Sequence, residues 1–494
     1  MPRRNFAWLF GIGLVSVFCW AIAQGGIAPP RGPLQFLKGF PGHNQDYEGL
    51  SLLIDTLQHV EQSYVHDLSP EERRKFMESA INGGLQSLDL HSGYINPREY
   101  KQFMKASEGS FGGVGIQLTM NRESKRLTVI SPIVGTPAYK AGIKPGDEID
   151  KINGETTQGM TQDDAVEKIQ GPPGSQVTLT IRHRNSEKIH DFTLTRTIIE
   201  VDSVLGDQRD ADQHWNFLLD KENRIGYIRL VQFSKKSPDE LVAALRKLNE
   251  QEVRGLVLDL RNNPGGLLEA AVAVSNLFQD RGKIVSVEGR GRSPQTYEAR
   301  PNYALMPDIP LVILINEYSA SASEIVAAAL QDHKRAVIMG ERSFGKGSVQ
   351  NLVPMEGGKS ALKLTTAKYL RPSGKNIHRF PDSKEADQWG VKPDVEVRVN
   401  AQEEFDYLIA RRDRDVVREQ NGAAEALEQL GALVLPVGAA WPVGSPAGAL
   451  LAGVEMAAAY QALPKPPKPF ADKLLDKALE NLRGQLTRRA EGGK

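Results

Sequence analysis

Two short segments of this chain carry residues that could hydrolyse an amide bond. Ser321 lies in Ser-Ala-Ser-Ala-Ser-Glu (319–324), directly after an apolar, strand-like run. Lys346 lies in Gly-Lys-Gly-Ser-Val-Gln (345–350), one supersecondary unit later, and Gln350 follows it by four residues. A serine and a lysine can hydrolyse amides without histidine if the lysine is held neutral. The spacing therefore makes a Ser–Lys hydrolase the hypothesis to test.

Each of these residues also has a purely structural interpretation. Ser321 and Glu324 fit a capping box at the start of a helix. Lys346 between two glycines is typical of an exposed turn, and Gln350 of a solvated strand. Catalysis would require burial or a cationic neighbour to remove the lysine proton near neutral pH. A serine at a helix start also lies beside free N–H groups, which suit a developing oxyanion.

A third segment, Asp-Leu-Arg-Asn-Asn-Pro-Gly-Gly (259–266), follows an apolar run and ends in a glycine loop. It is either an ordinary strand-to-helix connection or the source of a backbone N–H for a substrate carbonyl. His333 ends a predicted helix, where a cation favours the helix dipole. His91 and His378 lack metal-ligand spacing, and no P-loop or dinucleotide fingerprint occurs. Lys+Arg and Asp+Glu balance at 61 each, which argues against a nucleic-acid partner.

The N-terminus is typical of an export signal or membrane anchor. Arg3 and Arg4 precede an uncharged apolar run over residues 6–23, which ends in Ala-Ile-Ala and is just long enough to span a bilayer. With the arginines inside, the remainder is expected outside the cytoplasm. The sole cysteine, Cys19, lies in this run, so no disulfide is expected in the exported part.

Composition and periodicity divide the chain into six predicted parts. Residues 1–24 form the signal or anchor, and residues 25–44 are a Gly- and Pro-rich linker. A helical module follows over 45–110, and a β-rich domain over 111–197. Alternating strands and helices predict an α/β core over 198–399. The last part, 400–494, is predicted to be a helical extension interrupted by prolines.

Three further segments appear in order with those above. They are Leu-Asp-Leu-His-Ser-Gly-Tyr (88–94), Phe-Gly-Gly-Val-Gly-Ile (111–116) and Pro-Ala-Tyr-Lys-Ala-Gly-Ile-Lys-Pro-Gly-Asp-Glu-Ile (137–149). Over about residues 50–399, the chain resembles the carboxyl-terminal processing peptidases, the tail-specific serine proteases of family S41. The resemblance implies a multidomain α/β fold. It would have a ClpP/crotonase-like protease core, an inserted PDZ domain, a helical N-terminal module and a helical C-terminal tail.

The resemblance also implies a role for each site residue. Ser321 corresponds to the nucleophile, Lys346 to the general base and Gln350 to the residue that orients it. The oxyanion hole corresponds to backbone groups of Gly265, Gly266 and Ala322. The PDZ loop that binds a terminal carboxylate corresponds to Gly113, Val114, Gly115 and Ile116. No cofactor and no metal are expected.

The implied activity is that of a serine endopeptidase that recognises apolar C-terminal tails of exported proteins. We expect it in the periplasm or another extracytoplasmic space, anchored in the inner membrane if the first segment is retained. Its partners would be unfolded or tail-exposed proteins, and an activating adaptor or a homo-oligomer is compatible. The rival hypothesis is a PDZ adaptor or chaperone on an inactive core. Two departures from the family pattern are Leu90, in place of a proline, and a longer segment over 376–390.

Overall fold

The structure is a computed structural model that describes residues 44–121, 124–183, 189–291, 293–416 and 470–492. These residues form two compact units, one up to Met77 and one from Glu78 onward. No helix within the described ranges is long and apolar enough to cross a membrane. The predicted export segment lies outside the described residues.

The N-terminal part is helical, and capping residues mark the ends of its helices. Its elements are helices α1 (Asn44–Ser63), α2 (Pro70–Gln86) and α3 (Pro97–Glu108), with strand β1 (Gly93–Ile95) before α3. Helix α2 begins at Pro70, and the Ser69 N–H donates to the Glu72 carboxylate at 2.8 Å. Helix α3 is capped by Asn96 and ends at Gly109, whose φ of 71° is left-handed. These caps satisfy backbone groups that helix ends leave free.

The β-rich domain is an antiparallel sheet with the order β3-β4-β5-β7-β8. Its elements are β2 (Ser110–Gly113), β3 (Ile116–Met120), β4 (Leu127–Pro132), α4 (Pro137–Lys140), β5 (Glu148–Ile152), β6 (Glu155–Thr156), α5 (Gln162–Ile169), β7 (Gln176–Arg182), β8 (Ile189–Thr195) and β9 (Thr197–Glu200). In β7, Val177, Leu179 and Ile181 are buried, which is the period-2 pattern of a one-sided strand. Strands β2 and β9 pair with each other, so the domain enters and leaves at one point and is an insertion.

The predicted α/β core is built on a second sheet with the order β10-β14-β15-β18-β19-β22. Its elements are β10 (Val204–Leu205), β11 (Gln208–Arg209), β12 (Trp215–Asn216), β13 (Leu218–Asp220), β14 (Ile225–Leu230), α6 (Ser237–Glu250), β15 (Gly255–Asp259), α7 (Leu268–Phe278), β16 (Lys283–Gly289), β17 (Gln295–Glu298), β18 (Leu311–Ile315), α8 (Ala322–Asp332), β19 (Val337–Gly340), β20 (Ser348–Met355), β21 (Ser360–Leu370) and β22 (Val395–Glu396). Strands β14, β15, β18, β19 and β22 run parallel. Their carboxyl ends therefore meet at one edge, where ligands bind in such sheets.

The two faces of this sheet are covered by different helices. Leu256, Leu258 and Ile313 point to the side covered by α6, α7 and α8. Val257 and Val312 point to the other side. There they pack against the last helix, α10 (Lys473–Gly492), which follows α9 (Ala401–Asp415). Covered on both faces, β14, β15 and β18 are buried along their whole length.

The remaining strands form an antiparallel sheet with the order β1-β21-β16-β17, and β20 also pairs with β21. Strand β20 carries Gln350, which lies opposite Thr365 of β21. The predicted multidomain α/β fold with an inserted PDZ domain is confirmed. Helices α9 and α10 are the described part of the predicted helical extension, and the prolines expected to break it lie outside the described residues.

Candidate active site

Ser321 occupies a sharp turn between a buried strand and a helix. Strand β18 ends at Ile315 and α8 begins at Ala322, so Ser321 is the residue that precedes the helix. Its φ and ψ are 55° and −112°, and its relative exposure is 8%. A non-glycine residue at positive φ is strained and persists only where its surroundings hold it there. The turn keeps the hydroxyl at the mouth of α8, beside the free N–H groups of the first helical turn.

The buried carboxylate of Glu324 joins the serine turn to the lysine loop. Its Oε2 accepts from the backbone N–H of Ser321 at 2.8 Å and of Lys346 at 2.8 Å. Its Oε1 accepts from the Gly345 N–H at 2.7 Å and the Ser343 hydroxyl at 2.5 Å. Two N–H groups that share one acceptor oxygen are neighbours, so Ser321 and Lys346 are brought together. The Glu324 carboxylate that caps the helix is therefore also the group that brings the two predicted catalytic residues together.

The electrostatics of the site favour a lysine that can lose its proton. Burial lowers the pKa of the Lys346 ammonium, and the carboxylate of Glu324 opposes this effect. Burial also raises the pKa of Glu324 to about 7, although its hydrogen bonds with Ser343, Gly345 and Ser321 act in the opposite direction. Near neutral pH, Glu324 is therefore partly protonated and exerts less than a full negative charge on the lysine.

Gln350 is held by two hydroxyl groups. Its Nε2 donates to Ser348 Oγ at 2.8 Å and to Thr365 Oγ1 at 3.2 Å. The Thr365 hydroxyl donates in turn to Asp89 Oδ1 at 3.1 Å. A carboxamide has two N–H donors and one carbonyl acceptor, so its Oε1 is the atom left to accept from the Lys346 amine. The predicted orientation of Lys346 by Gln350 stays a prediction.

The glycine loop of residues 259–266 lies directly against the serine turn. A Cβ on Gly265 would stand 2.7 Å from the Ala320 carbonyl oxygen and 2.8 Å from Ser321 Cβ. A Cβ on Gly266 would stand 2.1 Å from the Phe233 carbonyl oxygen. Their φ angles are +100° and +146°. Only glycine allows both this approach and this backbone.

The predicted oxyanion donors differ in their availability. The Gly265 N–H donates to Asn263 Oδ1 at 2.9 Å, so it is already engaged. Ala322 is the first residue of α8, where an N–H has no partner within the helix. The neighbouring Gly266 is exposed, and its N–H has no acceptor among the described residues. Gly266 and Ala322 are therefore the candidate donors, with Gly265 packed beside them, and the predicted oxyanion hole stays a prediction.

Asn263 fixes this loop to its surroundings. Its Nδ2 donates to the Leu230 carbonyl at 2.6 Å, and its own carbonyl accepts from the Ala320 N–H at 3.0 Å and the Ser323 hydroxyl at 2.9 Å. These bonds tie the glycine loop to β14 on one side and to the start of α8 on the other. The hole is therefore formed before a substrate arrives.

The beginning of the loop is held by ion pairs behind the sheet. The Arg261 guanidinium donates to both oxygens of Asp259, and also to Asp472 at 3.0 and 2.7 Å. It stacks on the ring of Tyr407 at 4.1 Å. Asp472 directly precedes α10, and Tyr407 belongs to α9. The C-terminal helices therefore reach the residues that position the oxyanion loop.

Several groups around Lys346 were not predicted as part of the site. The rings of His91 and His378 lie 6.2 Å apart. Burial and the neighbouring Lys346 lower the pKa of His91 to about 4, so this imidazole stays neutral. Burial, with the charge of Lys346, lowers the pKa of Lys363 to about 8. No spacing signal could have found these residues, because they come from distant parts of the chain.

His333, by contrast, has the structural position predicted for it. It caps the end of α8, and its Nε2 lies 2.7 Å from the Lys283 carbonyl oxygen.

The long segment over 376–390 crosses the lysine loop. The Arg379 N–H donates to the Gly345 carbonyl at 2.8 Å, and a Cβ on Gly347 would stand 2.3 Å from the His378 nitrogen. Trp389 lies between two guanidinium groups, those of Arg342 and Arg379, each 4.4 Å from its ring. The extra residues therefore cover Lys346 from outside and require glycines on both sides of it.

The predicted carboxylate-binding loop of the PDZ domain connects β2 to β3. The carbonyls of Val114 and Gly115 accept from the N–H groups of Ala138 at 3.0 Å and Ile133 at 2.9 Å. Gly115 has φ of +79°, and a Cβ there would stand 2.4 Å from Thr136. Within the described ranges, the N–H groups of Val114 and Gly115 have no backbone acceptor. This arrangement can bind an anionic oxygen.

Comparisons with known proteins identify the families that this chain resembles. A family model of peptidase family S41 matches residues 224–397, and a PDZ domain model matches residues 128–183. The first range contains Ser321, Lys346 and Gln350, whereas the loop at Gly113–Ile116 lies before the second.

The chain is similar over most of its length to proteins of known type. A carboxy-terminal-processing protease of Bartonella bacilliformis is 41% identical over 364 residues, covering 73% of this chain and 77% of that protein. A carboxyl-terminal-processing protease of Synechocystis sp. is 34% identical over 391 residues, covering 76% and 86%. A solved photosystem II D1 C-terminal processing protease is 30% identical, with a TM-score of 0.38, covering 70% of this chain and 92% of that one.

Proposed function

The chain belongs to the carboxyl-terminal-processing serine proteases of peptidase family S41, and we propose that it cleaves peptide bonds with a Ser321–Lys346 dyad. The observation that carries this proposal is the shared acceptor: one oxygen of Glu324 binds the backbone N–H of both residues. The lowered pKa of Lys346 and the free N–H groups of Gly266 and Ala322 supply the remaining requirements.

Each step of the proposed reaction uses groups already described. Neutral Lys346 takes the Ser321 hydroxyl proton as Oγ attacks the scissile carbonyl carbon. The carbonyl oxygen becomes an oxyanion, to which the Gly266 and Ala322 N–H groups donate. The lysine then protonates the leaving amine as the C–N bond breaks, and an ester remains on Ser321. Water gives a proton to Lys346 and attacks this ester. As the bond to Oγ breaks, Lys346 returns the proton to Ser321, which releases the acid and restores the serine.

We propose that the PDZ domain selects substrates by their apolar C-terminal tails. The N–H groups of Val114 and Gly115 would hold the terminal carboxylate. Strand β3 is at the edge of its sheet, with α5 packed nearby, so a tail could extend the sheet as an added strand. A serine protease that works from such tails acts on unfolded or tail-exposed proteins.

We further propose an extracytoplasmic location, on the basis of Arg3, Arg4 and the apolar run over 6–23. Protease added to intact spheroplasts should digest the protein. Protection until the membrane is lysed would contradict this location without affecting the proposed chemistry.

The central experiment compares wild-type protein with Lys346→Ala on an unfolded protein that ends in apolar residues. The same protein with charged terminal residues is the matched substrate. Lys359→Ala removes an exposed lysine from the turn between β20 and β21 and is the matched control variant. We expect wild type and Lys359→Ala to cleave the apolar-tailed substrate faster than the charged-tailed one. We expect Lys346→Ala to cleave neither.

Other outcomes are equally informative. Equal cleavage by Lys346→Ala would mean that another group is the base. Tail-dependent binding without cleavage by wild type would favour the PDZ adaptor hypothesis or a missing activator.

A further inference from the structure

A cavity of about 90 Å³ lies between the PDZ domain and the protease core. Ile133 and Val134, after β4, form its wall on the PDZ side, and Leu408 of α9 contributes from the core. Trp215 of β12 also lines it. None of the catalytic, oxyanion or carboxylate-loop residues is part of its lining. The cavity is therefore distinct from the site of peptide hydrolysis. It adjoins the loop proposed to bind tails, because the Ile133 N–H donates to the Gly115 carbonyl.

Three N–H groups of the cavity side chains lack an acceptor. Arg209 Nε, Trp215 Nε1 and Arg411 Nε are buried and have no hydrogen-bond partner. All three side chains line this cavity. Buried donors are nearly always satisfied by protein, water or ligand, because an unmet donor is costly. The concentration of three such donors at one cavity indicates a ligand that carries hydrogen-bond acceptors.

The charged side chains at the cavity also favour a ligand with hydrogen-bond acceptors. Arg411 pairs with Asp207, and Asp415 pairs with Arg229. Arg209 lies 4.0 Å over the Trp215 ring and donates to the Gln213 carbonyl at 2.7 Å.

Among the described residues, Arg209 has no carboxylate within ion-pair distance. The acidic side chains at the rim, Glu200 and Asp202, are exposed to solvent. Asp202 and Asp415 act on the Arg209 charge from a distance without forming an ion pair with it. A partly buried guanidinium without a direct ion pair is unusual, since buried charges are normally paired. The unpartnered Nε of Arg209 therefore favours an anionic acceptor.

We propose that this cavity binds a small carboxylate with a short apolar body. The carboxylate would accept from Arg209 and the Trp215 indole N–H, and the apolar body would pack against Ile133, Val134 and Leu408. The proposal goes beyond peptide hydrolysis, because it assigns a separate ligand site. Since the walls come from two domains, an occupant stabilises the arrangement in which they touch.

The test uses 4-methylpentanoate as the probe, with 4-methylpentanamide as its uncharged analogue. The full chain has five tryptophans, so a ¹H–¹⁵N spectrum shows few indole N–H signals. We expect saturable movement of one signal, which Trp215→Phe removes. The acid should bind at least about tenfold more tightly than the amide, because a charge-assisted hydrogen bond to Arg209 is lost with the amide.

Variants distinguish binding of 4-methylpentanoate at this cavity from a non-specific effect on the protein. Arg209→Gln should weaken binding of 4-methylpentanoate by about tenfold or more. Arg224→Gln, which removes an exposed arginine, should leave it unchanged. The signal of the Trp389 indole N–H, which donates to the Lys384 carbonyl, reports whether each variant is folded. No saturation by wild type, or equal affinity in Arg209→Gln, would overturn the proposal and leave the cavity to water.

A tetrapeptide that ends in leucine identifies the source of the carboxylate. Movement of the Trp215 signal by this peptide would assign the site to polypeptide C-termini. Movement by 4-methylpentanoate alone would assign it to free small acids. Binding is measured without hydrolysis, so a failure of the proposed protease activity would leave this result intact.

Discussion

In the proposed function, the PDZ loop and the catalytic centre both present backbone N–H groups to an oxygen atom, and the two loops are held in different ways. The PDZ loop is fixed by backbone hydrogen bonds, through the carbonyls of Val114 and Gly115. The oxyanion loop is fixed by side chains, chiefly Asn263 and the ion pairs of Arg261. Both use glycine at positive φ to direct the chain.

This difference corresponds to what each site has to bind. A terminal carboxylate carries its charge at rest, so a neutral loop whose N–H groups have no backbone acceptor among the described residues is sufficient. An oxyanion exists only during the reaction, so its donors must be placed relative to Ser321 before the charge appears. Only the second kind of binding lowers the barrier, because it is absent in the ground state. Mutations in the two loops should therefore change different kinetic constants.

Ser321→Ala should produce the largest difference between the effect on kcat and the effect on tail binding. Loss of the nucleophile should reduce kcat by about 10⁴-fold or more, since the remaining groups give only weak hydrolysis. Binding of an apolar tail peptide should be unchanged, because Val114 and Gly115 are untouched. Kinetics and a titration with the same peptide measure both quantities. A parallel fall in tail affinity would mean that the two sites are not independent.

Gly266→Ala should break the oxyanion hole alone. The new Cβ would stand 2.1 Å from the Phe233 carbonyl oxygen at a φ of +146°. We expect kcat to fall by about 10²- to 10³-fold with little change in KM. Gly374→Ala is the control, since Gly374 also has positive φ but nothing lies within 4 Å of its Cβ position. Unaltered kcat in Gly266→Ala would remove Gly266 from the hole.

Gly115→Ala should disrupt the carboxylate-binding loop of the PDZ domain. Its Cβ would stand 2.4 Å from Thr136 and displace the loop. The lost hydrogen bonds to a carboxylate should raise KM for apolar-tailed substrates by about 10- to 100-fold. The kcat should stay near the wild-type value. The same kinetics on a substrate with an amidated C-terminus provide the control, because its KM should not respond to the mutation.

The pH dependence should distinguish the two sites without a mutation. Lys346 acts as a base only when neutral, so kcat/KM should rise with pH below its pKa, by about tenfold for each pH unit. Burial lowers this pKa, which moves the rise toward neutral pH. Tail binding should show no such rise, because a terminal carboxylate is ionised throughout. A flat kcat/KM profile from pH 6 to pH 9 would argue against Lys346 as the base.

The smallest effect on kcat should come from Asp472→Asn, which lies behind the sheet and contacts Arg261. Weakening its bonds to Arg261 should loosen the start of the oxyanion loop and lower kcat by about threefold to tenfold, with KM unchanged. Arg483→Ala is the control, since it breaks an ion pair between the same helix and Asp220. An equal loss of kcat in both variants would show that general loosening of α10 is responsible.

Much of the site could be predicted because its signals are local. Ser321, Lys346 and the glycine loop each lie in a short segment at a strand end, and parallel strands bring such ends together. Glu324 was predicted as a helix cap. Its bonds to Gly345 and Lys346 could not be, because they depend on a loop that approaches from another strand.

The remaining features depend on tertiary structure. The choice of Gly266 over Gly265 as donor follows from a side-chain bond to Asn263, which no sequence pattern specifies. The proximity of His91 to His378 requires β1 to pair with β21. For α10, apolar spacing predicts a helix and does not identify the sheet face that it covers.

The late position of α10 has a consequence for synthesis. The sheet strands that it covers emerge from the ribosome well before it does, and one face of the protease core then has no partner for Val257, Val312 and their neighbours. Until α10 docks, the Arg261 side chain also lacks Asp472. The protease core would therefore reach its full activity only after its last helix has been synthesised and has docked.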